Sequence, residues 1–327
     1  MLLFSAAILV GLVLLIWSSD KFVDGASSIA QIMGVSPLIV GMLIIGLGTS
    51  APEMLVSGAA ALEGSPGLGL GNAIGSNITN ITLVLGVTAM LFVLPVQSQL
   101  LKKELPLVLA SAVLAWVLLL DNAFTQMDAI ILLIALAIIL TWMIASARKD
   151  SKSHDPLIDE TIEELPEKQP LNSSIIWTIV GLGVLLISSK LLVWGASNIA
   201  IQLGVSKLVI GLTIVAIGTS LPELAATISS ARKGEHDLAV GNIVGSNLFN
   251  TLAVLAIPGL ISPLSPLPEG LLSRDMPIML GLTVLLLMFS FGCFANSRYK
   301  ITATKGAILF ALFIAYEGLI YFQTTAS

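Results

Sequence analysis

Runs of about twenty apolar residues, punctuated by short polar, glycine or proline positions, follow one another along nearly the whole chain, each long enough to cross a hydrocarbon core about 30 Å thick. Ten runs are predicted as helices, over residues 2–26, 37–62, 70–94, 104–120, 126–147, 175–199, 208–231, 239–261, 274–294 and 304–322. The pattern therefore predicts an all-α integral membrane protein with ten transmembrane helices. The first run has no Lys or Arg before its apolar stretch and no cleavage-site pattern, so it is expected to be a retained span rather than a secretory signal.

The runs are not independent. GASSIAQIMGVSPLIVGMLIIGLGTSAPE, ending at Glu53, returns as GASNIAIQLGVSKLVIGLTIVAIGTSLPE, ending at Glu223, and Asn80 returns as Asn250; both pairs are 170 positions apart. From Ser18 to Asn80 the two copies align without a gap, with roughly 28 identities in about 63 positions, which marks an internal duplication. Each copy holds five runs, so the units are 1–147 and 173–327, joined by the polar segment 148–172. A unit with an odd number of crossings places its second copy upside down. Two inverted five-helix repeats are expected, with the duplicated segments meeting near the bilayer midplane.

Composition agrees with a membrane solvent: 327 residues, 56% hydrophobic, 11% charged, mean hydropathy +0.99. The net charge of −5 comes mainly from the acidic connector and argues against nucleic acid as a partner. Connector carboxylates lack the spacing and turn glycine of a loop calcium site, so solubility explains them. One cysteine, Cys293, leaves no intramolecular disulfide. Basic residues alternate by side: Lys102, Lys103, Arg148, Lys149, Lys152, Lys168, Arg232, Lys233, Arg298, Lys300 and Lys305 share one, whereas Lys207 and Arg274 fall on the other. Since Lys and Arg collect in cytoplasmic loops, both termini are expected outside a bacterial-type plasma membrane.

Chemistry concentrates in the duplicated segments. GTSAPE (48–53) and GTSLPE (218–223) place a proline in the middle of the second and seventh runs, where it must kink or break the helix and loosen carbonyls near Gly46 and Ala216. Thr49, Ser50, Thr219 and Ser220 add hydroxyl oxygens. A proline kink whose hydroxyls bond back to the preceding turn would explain one such copy. The glutamates tip the balance, because an ionised carboxylate at mid-span costs about 3 kcal/mol or more and Glu53 and Glu223 occur at matched depth. Lys21 and Lys190 lie toward helix ends, where snorkelling accounts for them. Asp20 aligns with Lys190 and Asp24 with Trp194; these charges break the repeat and are expected to act as interfacial anchors.

The third and eighth runs carry GNAIGSNITN and GNIVGSNLFN. Asn72, Ser76 and Asn80 recur at four-residue spacing, as do Asn242, Ser246 and Asn250, so each helix shows a polar stripe interleaved with glycines that admit a close neighbour. Small and amide residues also glue membrane helices together, which suffices for Asn72 and Asn242. Ser76, Asn80, Ser246 and Asn250 are expected to ligate, because the adjacent runs supply carboxylates. All these candidate ligands are oxygens; His154 and His236 lie in polar connectors. Neither zinc-type ligation nor histidine base catalysis is supported by that set, which leaves hard cations, calcium and sodium foremost. A passive channel is disfavoured by broken helices in an inverted repeat, and an enzyme by the missing nucleophile and base.

At these motifs the chain resembles the sodium/calcium exchangers of the cation/calcium exchanger superfamily, in particular the compact prokaryotic members, over all ten runs. The resemblance implies a secondary antiporter, exchanging Na+ for Ca2+ by alternating access, without cofactor or obligate protein partner. It implies that Glu53 and Glu223 are the central calcium carboxylates, with Thr49, Ser50, Ser76, Thr219, Ser220, Ser246 and the carbonyls of Gly46 and Ala216 completing the sites. Proton-coupled relatives place a glutamate shortly after the Gly-Asn pair, where this chain has Gly75-Ser76 and Gly245-Ser246; the resemblance thus favours sodium over protons. It also implies that the first and sixth spans slide across the core.

Overall fold

The structure is a computed structural model that describes residues 1–97, 100–150, 170–204, 214, 216–292 and 299–326. Its helical stretches are α1 (Leu2–Met33), α2 (Pro37–Leu62), α3 (Pro66–Leu91), α4 (Leu105–Leu119), α5 (Gln126–Asp150), α6 (Leu171–Gln202), α7 (Leu221–Arg232), α8 (His236–Ile261), α9 (Leu271–Phe291) and α10 (Ala303–Ala326). Among the described residues eight are long and apolar enough to cross a membrane; α4 and α7 are not. The run expected at 104–120 is the 15-residue α4, entered through a π turn, Leu100–Glu104, whose Lys102 and Lys103 interrupt its apolar character. The run expected at 208–231 falls partly outside the described residues; its described part is Ala216–Thr219 followed by α7. Most of the connector, with Cys293, Lys207 and Arg298, also lies outside them.

Two layers follow from where the chain can bury its surface. α8 is buried along almost its whole length and α3 nearly as much, because their Gly, Ala, Ser and Asn positions allow neighbours on every side. A continuous core of Leu, Ile, Val and Met side chains joins α3, α4, α5, α8 and α9. α1 and α6 instead form an antiparallel pair along one flank, with Trp17, Ile16, Ile179 and Ile187 exposed to the surroundings. Their contact is glycine-dependent: a Cβ on Gly25 would sit 2.7 Å from the Ser174 carbonyl oxygen, and one on Gly181 would sit 2.6 Å from the Phe22 amide nitrogen. Without a hydrophobic driving force between helices in lipid, such close backbone approach is what dispersion attraction needs.

The loops gather at two ends. At one, the strand β1 (Leu94–Pro95) pairs antiparallel with β2 (Lys300–Ile301), and residues 233–235 meet the end of α1 through a Ser27 Oγ to Glu235 carboxylate hydrogen bond of 2.6 Å. At the other, Phe124 bridges Leu264 and the Leu267 amide bonds the Asn122 carbonyl at 3.3 Å. The duplication persists in the backbone. Gly34 and Gly204 both take positive φ in the left-handed region, as do Gly64 and Gly234, and π turns open at Asn80–Val84 and Asn250–Val254.

Candidate ion-binding site

Both proline motifs break their helices. Ser50 takes φ −78 and ψ 1 and Ser220 φ −89 and ψ 4, values that interrupt the α ladder, and helices restart at Ala51 and Leu221 with Pro52 and Pro222 in the second position, where the missing N–H costs little. Glu53 and Glu223 thus stand in the first turns of new helices, facing positive dipole ends. The short segments Leu47–Thr49 and Ala216–Thr219 end at the same breaks and present their carbonyl ends, which favour a cation.

The helices carrying the amide motifs enclose these breaks. The Thr49 segment packs on α8 and the Thr219 segment on α3, while α7 lies against the Asn80 π turn and the Glu53 helix against the Asn250 π turn. Every carboxylate thereby meets the polar stripe of the other half, and Glu223 lies within range of the Glu53 charge. A matched pair of braces holds the breaks in place. Asn72 Nδ2 donates to the Glu53 carbonyl at 3.2 Å and to Ser57 Oγ at 3.0 Å; Asn242 Nδ2 donates to the Glu223 carbonyl at 3.2 Å and to Thr227 Oγ1 at 2.8 Å. Asn72 and Asn242 therefore join helices. Their partners Ser57 and Thr227 went unread in the sequence, although they are themselves 170 positions apart.

The two halves differ at the next layer. In the first, Thr49 Oγ1 lies 3.1 Å from the Ile45 carbonyl, 3.1 Å from Asn242 Oδ1 and 3.3 Å from Ser246 Oγ. The Gly46 carbonyl, expected to be loosened, accepts the Ser50 amide at 3.2 Å and Ser246 Oγ at 3.3 Å: the break occurs one turn later than the sequence suggested. In the second half Pro222 leaves its own fourth-preceding carbonyl, that of Gly218, without an amide partner, and Ser189 Oγ donates to it at 2.8 Å. Sequence reasoning missed Ser189. Its equivalent Ser19 bonds within its own helix, to the Ile16 carbonyl. Ala216 opens the helical segment before Thr219. Thr49 is fully buried and Thr219 partly exposed; Asn242 is fully buried, Asn72 only partly, and Gly71 is exposed.

What remains at the centre is a set of polar groups that the described residues do not satisfy. Glu53 and Glu223 have no exposed surface, and among the described residues neither carboxylate oxygen of either one has a hydrogen-bond partner. Ser50 Oγ, Ser220 Oγ and the side-chain amides of Asn80 and Asn250 are likewise buried and unpartnered, whereas Ser76 stays 5% exposed beside them. Among the described residues no ion pair involves either glutamate: Lys21 lies 5.2 Å from the Trp177 ring centroid, and Asp20 and Asp24 pair with Arg232 and Lys233. Each buried polar atom without a partner costs roughly 1–3 kcal/mol, more when charged, so a cluster this dense is stable only when something outside the chain supplies positive charge. The donor set, all hard oxygens with two carboxylates, suits calcium or sodium. No third His, Cys, Asp or Glu joins them among the described residues.

A multi-span helical protein with paired broken helices and a buried, unneutralised oxygen site belongs to the class of membrane transporters for cations. The comparisons with known proteins specify it further: the chain belongs to the sodium/calcium exchanger protein family, which it matches over residues 3–145 and 173–322. It is 44% identical over 321 residues to the putative antiporter CaxA of Alkalimonas amylolytica, covering 98% of this chain and 99% of that protein. It is 30% identical over 350 residues to the sodium/calcium exchanger MaX1 of Methanosarcina acetivorans, covering 96% and 97%. Among solved structures it superposes on the sodium-calcium exchanger NCX_Mj, soaked with Na+ and Ca2+, with TM-score 0.81 and 33% identity over 96% of this chain and 97% of that one. The protein is thus a membrane-spanning cation/calcium antiporter of a transporter family.

Proposed function

We propose that the protein exchanges Na+ for Ca2+ across the plasma membrane, with both ions competing for Glu53 and Glu223. The observation that carries this reading is the pair of fully buried carboxylates with no protein cation paired to them among the described residues. Ser50, Ser220, Asn80 and Asn250 complete the central shell. Thr49, Ser76, Thr219 and Ser246, with the carbonyls of Gly46 and Ala216, form its flanks toward the two ends. Two negative charges balance one calcium ion, or two sodium ions with a third on neutral ligands. At three sodium ions per calcium one net charge crosses per cycle, worth about 2.3 kcal/mol at 100 mV, and the membrane potential then assists calcium export.

The scaffold in this reading is a ten-helix inverted repeat, units 1–147 and 173–327, with both termini outside and the β1–β2 end, rich in Lys and Arg, in the cytoplasm. The asymmetry between the halves then describes one conformation. The β1–β2 side is sealed by the Thr49–Asn242–Ser246 contacts, and toward the opposite side Gly71 is exposed and Asn72 partly so. The test is radioactive calcium uptake into reconstituted vesicles driven by an imposed sodium gradient, repeated with Glu53→Gln and Glu223→Gln. Sodium-driven uptake abolished by either variant supports the reading. Uptake that ignores sodium and follows a proton gradient makes the protein a Ca2+/H+ antiporter, and fast flux without any counter-ion makes it a channel.

A further inference from the structure

The charges that break the repeat are organised. At the β1–β2 end Asp20 of α1 pairs with Arg232 at 2.5 Å and accepts Ser229 Oγ at 2.5 Å; Asp24 pairs with Lys233, whose Nζ also donates to the Asp20 carbonyl at 2.9 Å. These contacts fasten the α1–α6 pair to the core where α7 ends. Shifting each residue by the repeat interval of 170 positions gives Lys190 on α6 for Asp20, Trp194 for Asp24, Leu62 for Arg232 and Glu63, just after α2, for Lys233; the charged positions 190 and 63 thus repeat the contact of Lys233 Nζ with the Asp20 carbonyl. The signs are exchanged. α1 carries the acid and the core the base at one end; α6 carries the base and the core the acid at the other. Both Lys190 and Glu63 are exposed, and among the described residues neither has an ion-pair partner. Ser27 and its equivalent Ser197 repeat the contrast, the first bonded to Glu235 and the second with its hydroxyl unpartnered.

We propose that these groups are two alternating latches of opposite polarity: Asp20 and Asp24 with Arg232 and Lys233 hold the β1–β2 end shut in the conformation described, and Lys190 with Glu63 closes when the opposite end shuts. The inference rests on the inverted-repeat reading above, in which the two halves exchange conformations during the cycle. An α1–α6 pair packed backbone to backbone shifts as one body against the core, so making one latch breaks the other. The latches are unequal, because Arg232 aligns with Leu62 and Asp24 with Trp194, so the opposite end has one acid and one base where the β1–β2 end has two of each. Two ion pairs against one bias the resting protein toward the conformation described. Half-exposed pairs of this kind are individually weak, so each latch is expected to tune populations by about fivefold rather than to lock a state.

Charge reversal separates a latch from incidental surface charge. In vesicles showing sodium-driven calcium uptake, Lys190→Glu and Glu63→Lys are each expected to slow exchange about fivefold, and the double reversal to return it close to the unsubstituted rate. A double variant as slow as the product of the single effects overturns the proposal. A second readout does not depend on which ion is carried: Glu63→Cys with Lys190→Cys, in a Cys293→Ser background, treated with a short bifunctional thiol reagent. Cross-linking is expected, and adding Asp20→Asn and Asp24→Asn is expected to raise its yield several-fold by freeing the first latch. No cross-link, or a yield indifferent to Asp20 and Asp24, removes the alternating pair even if sodium/calcium exchange stands; loss of sodium coupling with an intact cross-linking response removes only the ion assignment.

Discussion

Gly245 should respond strongly to a single added methyl group. A Cβ on Gly245 would lie 2.4 Å from the Met42 carbonyl oxygen and 2.6 Å from its Cα, both backbone atoms that cannot rotate away. Ordinary contact requires at least ~3.4 Å, so Gly245→Ala must push the π turn Gly41–Gly46 away from α8 by about 1 Å, at a cost of roughly 1–3 kcal/mol of overpacking. That displacement also stretches the bonds of Thr49 to Asn242, now 3.1 Å, and of Ser246 to the Gly46 carbonyl, now 3.3 Å. Both would pass beyond hydrogen-bond range at about 4 Å. Thermal unfolding of the purified protein in detergent is therefore expected to drop by several degrees for Gly245→Ala, and calcium exchange to fall with it. An unchanged unfolding temperature would refute the close packing of α8 on this turn.

Replacing Asn242 with Ala removes donors to the Glu223 carbonyl and Thr227 and an acceptor for Thr49; it is expected to lower stability by about 1–3 kcal/mol and to weaken calcium binding measured by calorimetry, whereas retained affinity would show that the brace does not position Glu223. Asn80→Ala and Asn250→Ala break no side-chain hydrogen bond among the described residues, so each should weaken ion binding with little loss of thermal stability. Acidification should raise the calcium concentration needed for half-maximal exchange, since a carboxyl group cannot hold a proton and a metal ion together; a flat response between neutral and acid pH would contradict competition at Glu53 and Glu223. Lys305, 2% exposed and bonded to the Phe289 and Lys300 carbonyls at 2.7 Å, sits far along the chain from both motifs, and Lys305→Met is expected to cost stability while leaving calcium affinity unchanged.

Much was legible in the sequence because lipid is a demanding solvent. Apolar runs of spanning length, the 170-residue interval and a carboxylate beside a proline at mid-span are each costly enough in a bilayer to carry meaning one residue at a time, and they led to family, helical class and candidate ligands. Run lengths were less secure where charge enters a span, as at Lys102 and Lys103, because a π turn extends a helix that composition alone would end or begin elsewhere. The repeat also made the halves look equal, and only the packing shows that they are not. Thr49 is locked to Asn242 and Ser246 while Thr219 is partly exposed, Ser189 caps the carbonyl left by Pro222 while Ser19 turns back on its own helix, and Asp20 finds Arg232 across more than two hundred residues. One sequence written twice encodes two equivalent segments, but which contacts each one makes is a property of the assembled helices, since it depends on distances between segments far apart in the chain.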